Sequence, residues 1–229
     1  MKSKSCAIVQ PHYLPWLGYF ELIKSVDIFV ILDDVQYVKR EWKNRNKIRK
    51  SPTSNEFKWL SVPIKKEKIN QNINEVNIFD ENQEWRKFHI DSLKYVYGKT
   101  QNFLKYKDEI FSIIENKKIL TLFDLNLSLI KKICEILYIK TPIILSSTYK
   151  INKKREHKLV DICLRLSCDR YLANNKTFNM VDRSVFSENN IKIIPQNYEH
   201  IKYNQMYDNK KINWISNLSV IDYLFNKPY

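Results

Sequence analysis

The start of the chain reads as a strand, a turn, a helix and a second strand, and this order constrains the fold more than any other feature. A short apolar segment, Cys6–Gln10, predicts a strand that stops at Pro11. Apolar residues at helical spacing predict a helix over Trp16–Lys24, and the apolar run Asp27–Leu32 predicts a buried strand. Together these elements make a βαβ unit with two parallel strands. We therefore expect an α/β fold with a Rossmann-like parallel-sheet core that starts with a βαβ unit.

The middle of the chain is predicted to be mainly helical. Apolar periodicity indicates helices at Trp85–Tyr97, Phe103–Ile114 and Leu120–Tyr138. Before them, alternating apolar and polar residues and a turn-forming run make Asn44–Ile64 a hairpin candidate. We expect the 229 residues to form a single domain, with a candidate helical lobe at about residues 83–140.

The last third of the chain alternates short strands with helices. Strands are predicted at Ile143–Leu145, Arg170–Leu172 and Lys192–Ile194, and helices at Lys154–Leu166 and Ser219–Asn226. Ser219 is the expected N-cap of the last helix, because a serine side chain can accept a hydrogen bond from a free backbone N–H there.

The ends of the first two predicted strands carry the groups best suited to proton transfer. The first strand leads into Gln10 and His12, and the second into Asp33 and Asp34. Ligands of parallel sheets gather at the carboxyl ends of strands. An imidazole there can move a proton, and a carboxylate whose pKa is raised by burial can take one from an ammonium. We predict His12, Asp33 and Asp34 as catalytic residues. Strand alternation suggests that the two carboxylates point to opposite sides.

Residues 36–46 form the densest polar and aromatic stretch of the chain. Trp42 offers a stacking surface, Asn44 and Asn46 offer amides, and Arg45 offers a phosphate-binding guanidinium. This mixture is typical of sites for a nucleotide or a sugar diphosphate, and it would also suit RNA bases. The predicted substrate-binding residues are Gln10, Tyr13, Trp16, Gln36, Tyr37, Lys39, Arg40, Trp42, Asn44, Arg45, Asn46, Ser147, Tyr203 and Gln205.

The charge balance also favours an anionic partner. The formal net charge is +14, and a bias of the coding sequence towards Lys, Asn and Ile is one explanation. The charge is locally concentrated, however, with seven basic residues and one acid between Lys39 and Lys50. Such a cluster favours a nucleotide sugar, a phosphate or an RNA. With 2 glycines in the chain, a Gly-rich phosphate loop is excluded, so side chains or a helix N-terminus must hold any phosphate.

Neither a metal nor a cofactor is expected. The four cysteines are scattered without metal-ligand spacing, which is typical of free thiols in a reducing compartment. The N-terminal apolar stretch is too short for a signal peptide, and charges interrupt every long apolar run. We therefore expect a cytoplasmic protein without membrane insertion.

Taken together, these segments resemble the signature of the WbqC-like protein family. The matching N-terminal stretches are Gln10–Phe20, Asp27–Leu32, Asp33–Tyr37, Lys39–Arg40, Trp42 and Asn44–Asn46. Later stretches in the family's order are Trp59–Ile64, Tyr203–Gln205 and Leu218–Asp222, so the resemblance spans nearly the whole chain. Where the family tends to have a Tyr-Leu-Ser-Gly stretch, this chain has Tyr171–Asn174.

The resemblance implies a place in bacterial surface-polysaccharide biosynthesis, such as that of the O-antigen of lipopolysaccharide. The reaction that fits this context is transfer of an acyl or aminoacyl group, for example glycyl, to the amine of a nucleotide-linked amino sugar. An aminoacyl-tRNA is one suitable donor, and it would give the positive charge a second purpose. Two alternatives remain open: a non-catalytic RNA- or tRNA-binding protein, and a nucleotidylyltransferase-like enzyme that requires Mg²⁺ and releases pyrophosphate.

Overall fold

The computed structural model describes residues 3–39, 41–65, 68, 70–81 and 84–227. Contacts divide the chain into two compact units. Unit 1 contains Met1–Gln10, Gly18–Val35 and Tyr138–Glu199, and unit 2 contains Pro11–Leu17, Gln36–Leu137 and His200–Tyr229. The single domain expected from the sequence stays a prediction.

The structure contains both strands and helices. In chain order the strands are β1 (Ser5–Val9), β2 (Ile28–Ile31), β3 (Arg45–Arg49), β4 (Phe57–Ser61), β5 (Ile143–Leu145), β6 (Arg170–Ala173), β7 (Lys192–Pro195), β8 (Met206–Tyr207) and β9 (Lys210–Lys211). The helices are α1 (Leu17–Lys24), α2 (Glu84–Tyr97), α3 (Phe103–Glu115), α4 (Leu122–Ile136), α5 (Arg155–Arg165), α6 (Asn175–Met180), α7 (Ser184–Glu188) and α8 (Val220–Asn226). Each of these helices is too short or too polar to cross a membrane.

Unit 1 is built on a five-stranded parallel sheet with the strand order β5-β2-β1-β6-β7. In the register of the two central strands, Cys6 lies opposite Ile28 and Val9 opposite Ile31. β1 and β2 are apolar and almost fully buried, as expected for strands that are covered on both faces. The predicted α/β class, the parallel sheet and the βαβ start are confirmed.

Helices pack against both faces of this sheet. Cys6 and Ile8 share one face because side chains alternate along a strand, and they pack in one core cluster with Ile162 and Cys163 of α5. On the opposite face, the ring of Phe29 lies 5.5 Å from that of Tyr19 in α1. Burial of these apolar side chains stabilises the layered arrangement.

The strand order reverses beside β1. The chain proceeds from β1 to β2 and β5 on one side, and then continues through β6 and β7 on the other. Ligands of open α/β sheets bind where the order reverses, outside the carboxyl ends of the strands. Gln10 follows β1 at this point, and Asn174 follows β6. The side chain of Asn174 accepts a hydrogen bond from the Thr177 N–H at 2.9 Å and caps α6.

Unit 2 combines the predicted hairpin with helices α2, α3, α4 and α8. Strands β3 and β4 pair antiparallel from Arg45↔Ser61 to Arg49↔Phe57, which confirms the hairpin. The three predicted helices of the middle region are present as α2, α3 and α4. The Ser219 hydroxyl accepts a hydrogen bond from the Ile221 N–H at 3.3 Å, so the expected N-cap of α8 is also confirmed.

Candidate functional site

In unit 1, two adjacent carboxylates meet one serine hydroxyl at the carboxyl edge of the sheet. The Ser146 hydroxyl lies 3.0 Å from Asp33 Oδ1 and also contacts Asp34 Oδ1. The Ser146 hydroxyl oxygen also accepts a hydrogen bond from the Asp33 backbone N–H at 3.2 Å. A hydroxyl has one proton to donate, so Ser146 can serve only one of the two carboxylates at a time.

A lysine from α5 completes this cluster. Lys158 Nζ lies 2.7 Å from Asp34 Oδ2 and donates to the Asp34 carbonyl at 3.1 Å. Lys158 is only 5% exposed. An ammonium removed from water in this way needs a nearby counter-charge, and Asp34 supplies it. We call Asp33, Asp34, Ser146 and Lys158 the carboxylate cluster.

The expectation that Asp33 and Asp34 point to opposite sides is wrong. β2 ends at Ile31, so strand alternation no longer governs the two residues, and both carboxylates reach Ser146. Asp33 is 2% exposed and also accepts the Ser147 backbone N–H at 3.0 Å. Asp34 keeps 17% of its side chain exposed. Asp34 is therefore the more accessible carboxylate, while Asp33 is held in place from several directions.

Unit 2 contains a cavity of about 370 Å³, within the size range of small-molecule sites. The lining residues are Gln36, Tyr37, Val38, Lys39, Ile64, Lys65, Lys68, Gln71 and Val76. Backbone pairing holds two walls together, since the Tyr37 N–H donates to the Gln71 carbonyl at 2.9 Å and Gln36 forms a β-bridge with Asn72. We call this site the lysine cavity.

The lining of the lysine cavity has a strong charge bias. Three of the described lining residues, Lys39, Lys65 and Lys68, are lysines, and none of the described lining residues is acidic. Ammonium groups that share one concave site repel each other, and an anion placed among them relieves that repulsion. The composition of the lining therefore favours a phosphate or another anionic group as its ligand.

Tyr37 gives the cavity a hydroxyl that stays protonated at neutral pH. Burial raises the pKa of the Tyr37 phenol to about 12, although the positive charge of Arg45 opposes this rise. A protonated phenol can donate a hydrogen bond, whereas a phenolate cannot. Tyr37 is half-buried, so its ring also offers an apolar surface.

The predicted stacking and guanidinium groups lie on the hairpin and are not among the residues that line the cavity. The Trp42 and Trp59 rings lie 5.2 Å apart, and the Arg45 guanidinium lies 4.3 Å from the centre of the Trp59 ring. Asn44 Nδ2 donates to the Val62 carbonyl at 2.9 Å, so its amide helps to fix the end of β4.

Two of the predicted substrate-binding residues are buried in unit 2. Tyr13 is fully buried, and its hydroxyl forms a 2.8 Å hydrogen bond with His89 Nδ1. Burial raises the pKa of Tyr13, so the phenol remains neutral. Asn46 is 1% exposed and donates to the carbonyls of Tyr13 and Leu14 at 3.2 and 2.7 Å. Both side chains hold the segment after β1 in its conformation.

Tyr203 and Gln205 belong to a buried polar network. The hydroxyls of Tyr203 and Tyr97 donate to the two carboxylate oxygens of Asp222 at 2.6 and 3.0 Å. The Gln205 amide donates to the Tyr203 hydroxyl at 3.2 Å and accepts from the Arg49 guanidinium. Burial raises the pKa of Asp222, against the hydrogen bond from Tyr203 and the field of Arg49. Tyr203 and Gln205 were predicted from the sequence as substrate-binding residues, and in the structure they lie inside unit 2.

The remaining predicted residues are accounted for as follows. His12 is half-buried in unit 2, and the Trp16 ring lies 5.6 Å from that of His200. The Gln10 carbonyl accepts from the Tyr19 hydroxyl at 3.2 Å in unit 1. Arg40 lies outside the described residues. A shared proton-transfer site for His12 and the carboxylates stays a prediction.

Three lysines of these sites were not identified from the sequence. Lys158 precedes the buried residues Leu159, Val160, Ile162 and Cys163 in α5, and a lysine within such a run was the available signal. Lys65 and Lys68 lie in a polar run whose composition alone does not single them out. Within the described ranges, His, Cys, Asp and Glu side chains form no group of three that could hold a metal ion.

Comparison with known proteins identifies relatives along almost the whole chain. The model of the WbqC-like protein family matches residues 10–229. An uncharacterized protein of Mycobacterium tuberculosis, Rv1507c, is 33% identical over 225 residues, which cover 97% of this chain and 94% of that protein. No solved structure matches the chain.

Proposed function

Since the chain belongs to the WbqC-like protein family, we propose that it is a transferase of bacterial surface-polysaccharide biosynthesis. In this proposal it attaches an acyl or aminoacyl group, such as glycyl, to the amine of a nucleotide-linked amino sugar. The observation that supports it best is the lysine cavity, whose described lining residues include three lysines and a half-buried tyrosine and no acid. A sugar nucleotide brings a diphosphate, a group with the opposite charge.

The cavity residues suit the parts of such a substrate. Lysines bind phosphate as mobile point charges, so Lys39, Lys65 and Lys68 can follow the oxygens of a diphosphate. The protonated phenol of Tyr37 can donate a further hydrogen bond. Gln36 and Gln71 offer amides for sugar hydroxyls.

The chemical step needs a group that accepts a proton. The amine nitrogen forms a bond with the acyl carbon, the ester or thioester bond of an activated donor breaks, and the amine proton ends on the leaving hydroxyl or thiol. We assign the first acceptance of that proton to Asp34, the more exposed carboxylate of its cluster. The ion pair with Lys158 fixes the position of the Asp34 carboxylate. His12 is a second proposed participant, and positioning of the reactants contributes the rest.

Calorimetric titration with UDP- or dTDP-linked amino sugars tests the binding half of the proposal. We expect saturable binding that weakens about tenfold in Lys39→Gln and in Lys65→Gln, because each loses a charged partner of the phosphate. Lys99→Gln is the matched control, since Lys99 is an exposed lysine paired with Asp208 outside the cavity. Absence of binding, or equal binding by all variants, would contradict the proposal.

A further inference from the structure

One face of the β3–β4 hairpin carries aromatic and cationic side chains next to each other. We call this the hairpin face, and it consists of Arg45, Lys47, Phe57 and Trp59 of the hairpin together with Trp42, which precedes β3 and contacts Trp59. Arg45 and Lys47 are two residues apart in β3, and Phe57 and Trp59 two residues apart in β4. Such spacing places each pair on one side of a strand.

The opposite side of the hairpin belongs to the core of unit 2. Ile48 and Leu60 alternate with the residues of the hairpin face, and both are fully buried. The hairpin face remains accessible, since Phe57 is 43% exposed and the other four members are partly exposed. Two aromatic residues of this face, Phe57 and Trp59, contact each other edge to face at 6.2 Å.

The cations on this face lie directly against the rings. Lys47 Nζ lies 4.1 Å from the centre of Phe57, 5.3 Å from Trp59 and 5.6 Å from Trp42. The Arg45 guanidinium lies 4.3 Å from the centre of Trp59. Cation–π contact places each positive group over one face of a ring, so a base can stack only on the ring faces that the two cations leave open. A base that stacks here therefore has a positive charge within reach of its phosphate.

Two acids that lie close in sequence to members of the hairpin face are held in ion pairs. Glu41 forms an ion pair with Lys43, and Glu56 forms one with Lys50. Their charges consequently do little to offset Arg45 and Lys47. The face complements a chain of phosphates, and its rings complement bases that are not stacked in a duplex.

We propose that the hairpin face binds a single-stranded nucleic acid. Rings at successive positions contact successive bases, Arg45 presents the outer plane of its guanidinium for stacking, and Lys47 pairs with the phosphate between them. Binding itself does not depend on the proposed transferase activity. If that activity holds, the inference deepens it, because the nucleic acid is then the RNA that carries the activated acyl group.

Fluorescence anisotropy with a labelled single strand of about twelve nucleotides tests this inference. Wild-type protein is expected to bind it more tightly than a duplex of the same sequence, with affinity falling steeply as salt rises. Phe57→Ala is expected to weaken binding about tenfold through lost stacking. Lys47→Gln is expected to weaken it and to lower the salt slope by about 0.7, the value for one phosphate contact on a single strand.

Matched controls lie outside the hairpin face. Tyr138→Ala removes a ring that is 87% exposed, and Lys99→Gln removes an exposed ammonium; both are expected to bind like the wild type. Far-ultraviolet circular dichroism verifies the fold of each variant. The inference is overturned if folded Phe57→Ala and Lys47→Gln bind like the wild type, or if the single strand and the duplex bind equally well.

RNA and DNA strands of one sequence distinguish the source of the ligand. Tighter binding of RNA assigns the face to an RNA partner such as a tRNA end, and tighter binding of DNA assigns it to DNA. Lys47 and Phe57 are not among the described lining residues of the lysine cavity, so a loss of binding in their variants is assigned to the hairpin face. A protein that binds the single strand but no sugar nucleotide supports this inference and contradicts the proposed function.

Discussion

The ammonium of Lys158 lies 2.7 Å from the carboxylate of Asp34, and both groups are largely removed from water. Lys158 comes from α5 and Asp34 from the segment after β2. The contact links two parts of unit 1 that are far apart in the sequence. The Asp34 carboxylate therefore stabilises the fold through its ion pair with Lys158, and it is also the proposed proton acceptor.

Loss of the Lys158 ammonium is expected to destabilise the protein strongly. Lys158→Met leaves the Asp34 carboxylate without its counter-charge, which costs about 3–5 kcal/mol in the free energy of unfolding for a buried pair. Lys153→Met is the control, because the Lys153 side chain is 59% exposed and Asp161 keeps a second partner in Arg165 at 3.0 Å, so this change should cost less than about 1 kcal/mol. Urea denaturation of the two variants measures the difference, and equal losses would contradict a buried pair.

Transfer activity is expected to require the charge of Asp34. Asp34→Asn keeps the shape of the side chain and removes the proton acceptor, so turnover should fall about a hundredfold or more. The double variant Asp34→Asn with Lys158→Met removes both charges and should recover part of the lost stability without recovering turnover. Wild-type turnover in Asp34→Asn would end the catalytic assignment. Asp161→Asn, which changes a carboxylate of α5 outside the carboxylate cluster, is the activity control.

Tyr203 is expected to act on stability and not on substrate binding. Tyr203→Phe removes the donor to Asp222 Oδ1 in a buried network, which should lower the free energy of unfolding by about 1–3 kcal/mol. The exposed hydroxyl in Tyr138→Phe should cost nothing measurable. A stable Tyr203→Phe variant with a raised KM for the sugar nucleotide would show instead that Tyr203 touches substrate.

The buried His89 predicts a specific loss of stability in mild acid. Burial lowers its pKa from 6.5 to about 3. Between these two values the unfolded chain binds a proton that the folded chain does not, so stability decreases as the pH falls. From pH 8 to pH 5 the contribution of His89 decreases by about 2 kcal/mol. Urea denaturation at both pH values should show this loss in wild-type protein and in the exposed control His157→Gln, but not in His89→Gln.

Local patterns in the sequence were sufficient to predict much of the fold. The apolar runs on either side of Pro11 predicted the βαβ start, and alternation around Phe57 predicted the hairpin. Helices α6 and α7 were not predicted because six and five residues are too few to show a periodicity. Strands β8 and β9 were not predicted because each has only two residues, and they are strands only through their pairing with each other.

The site was only partly predictable because its contacts are distant in the sequence. Asp34 and Lys158 are 124 residues apart, and no local spacing indicates that they meet. The orientation of Asp33 was mispredicted because the strand rule was applied beyond the end of β2. Tyr37 and Lys39 were identified because they belong to the polar and aromatic stretch 36–46. Their grouping with Lys65 and Lys68 depends on how the chain folds back.

Mass spectrometry of the reaction product tests the central claim most directly. A UDP- or dTDP-linked amino sugar is incubated with the protein and an activated donor, either a charged tRNA pool or an acyl thioester. The account predicts a sugar nucleotide whose mass is increased by one acyl or aminoacyl group, formed by wild-type protein and not by Asp34→Asn. An unchanged sugar nucleotide that nevertheless binds saturably, or release of pyrophosphate from a nucleoside triphosphate in the presence of Mg²⁺, would contradict it.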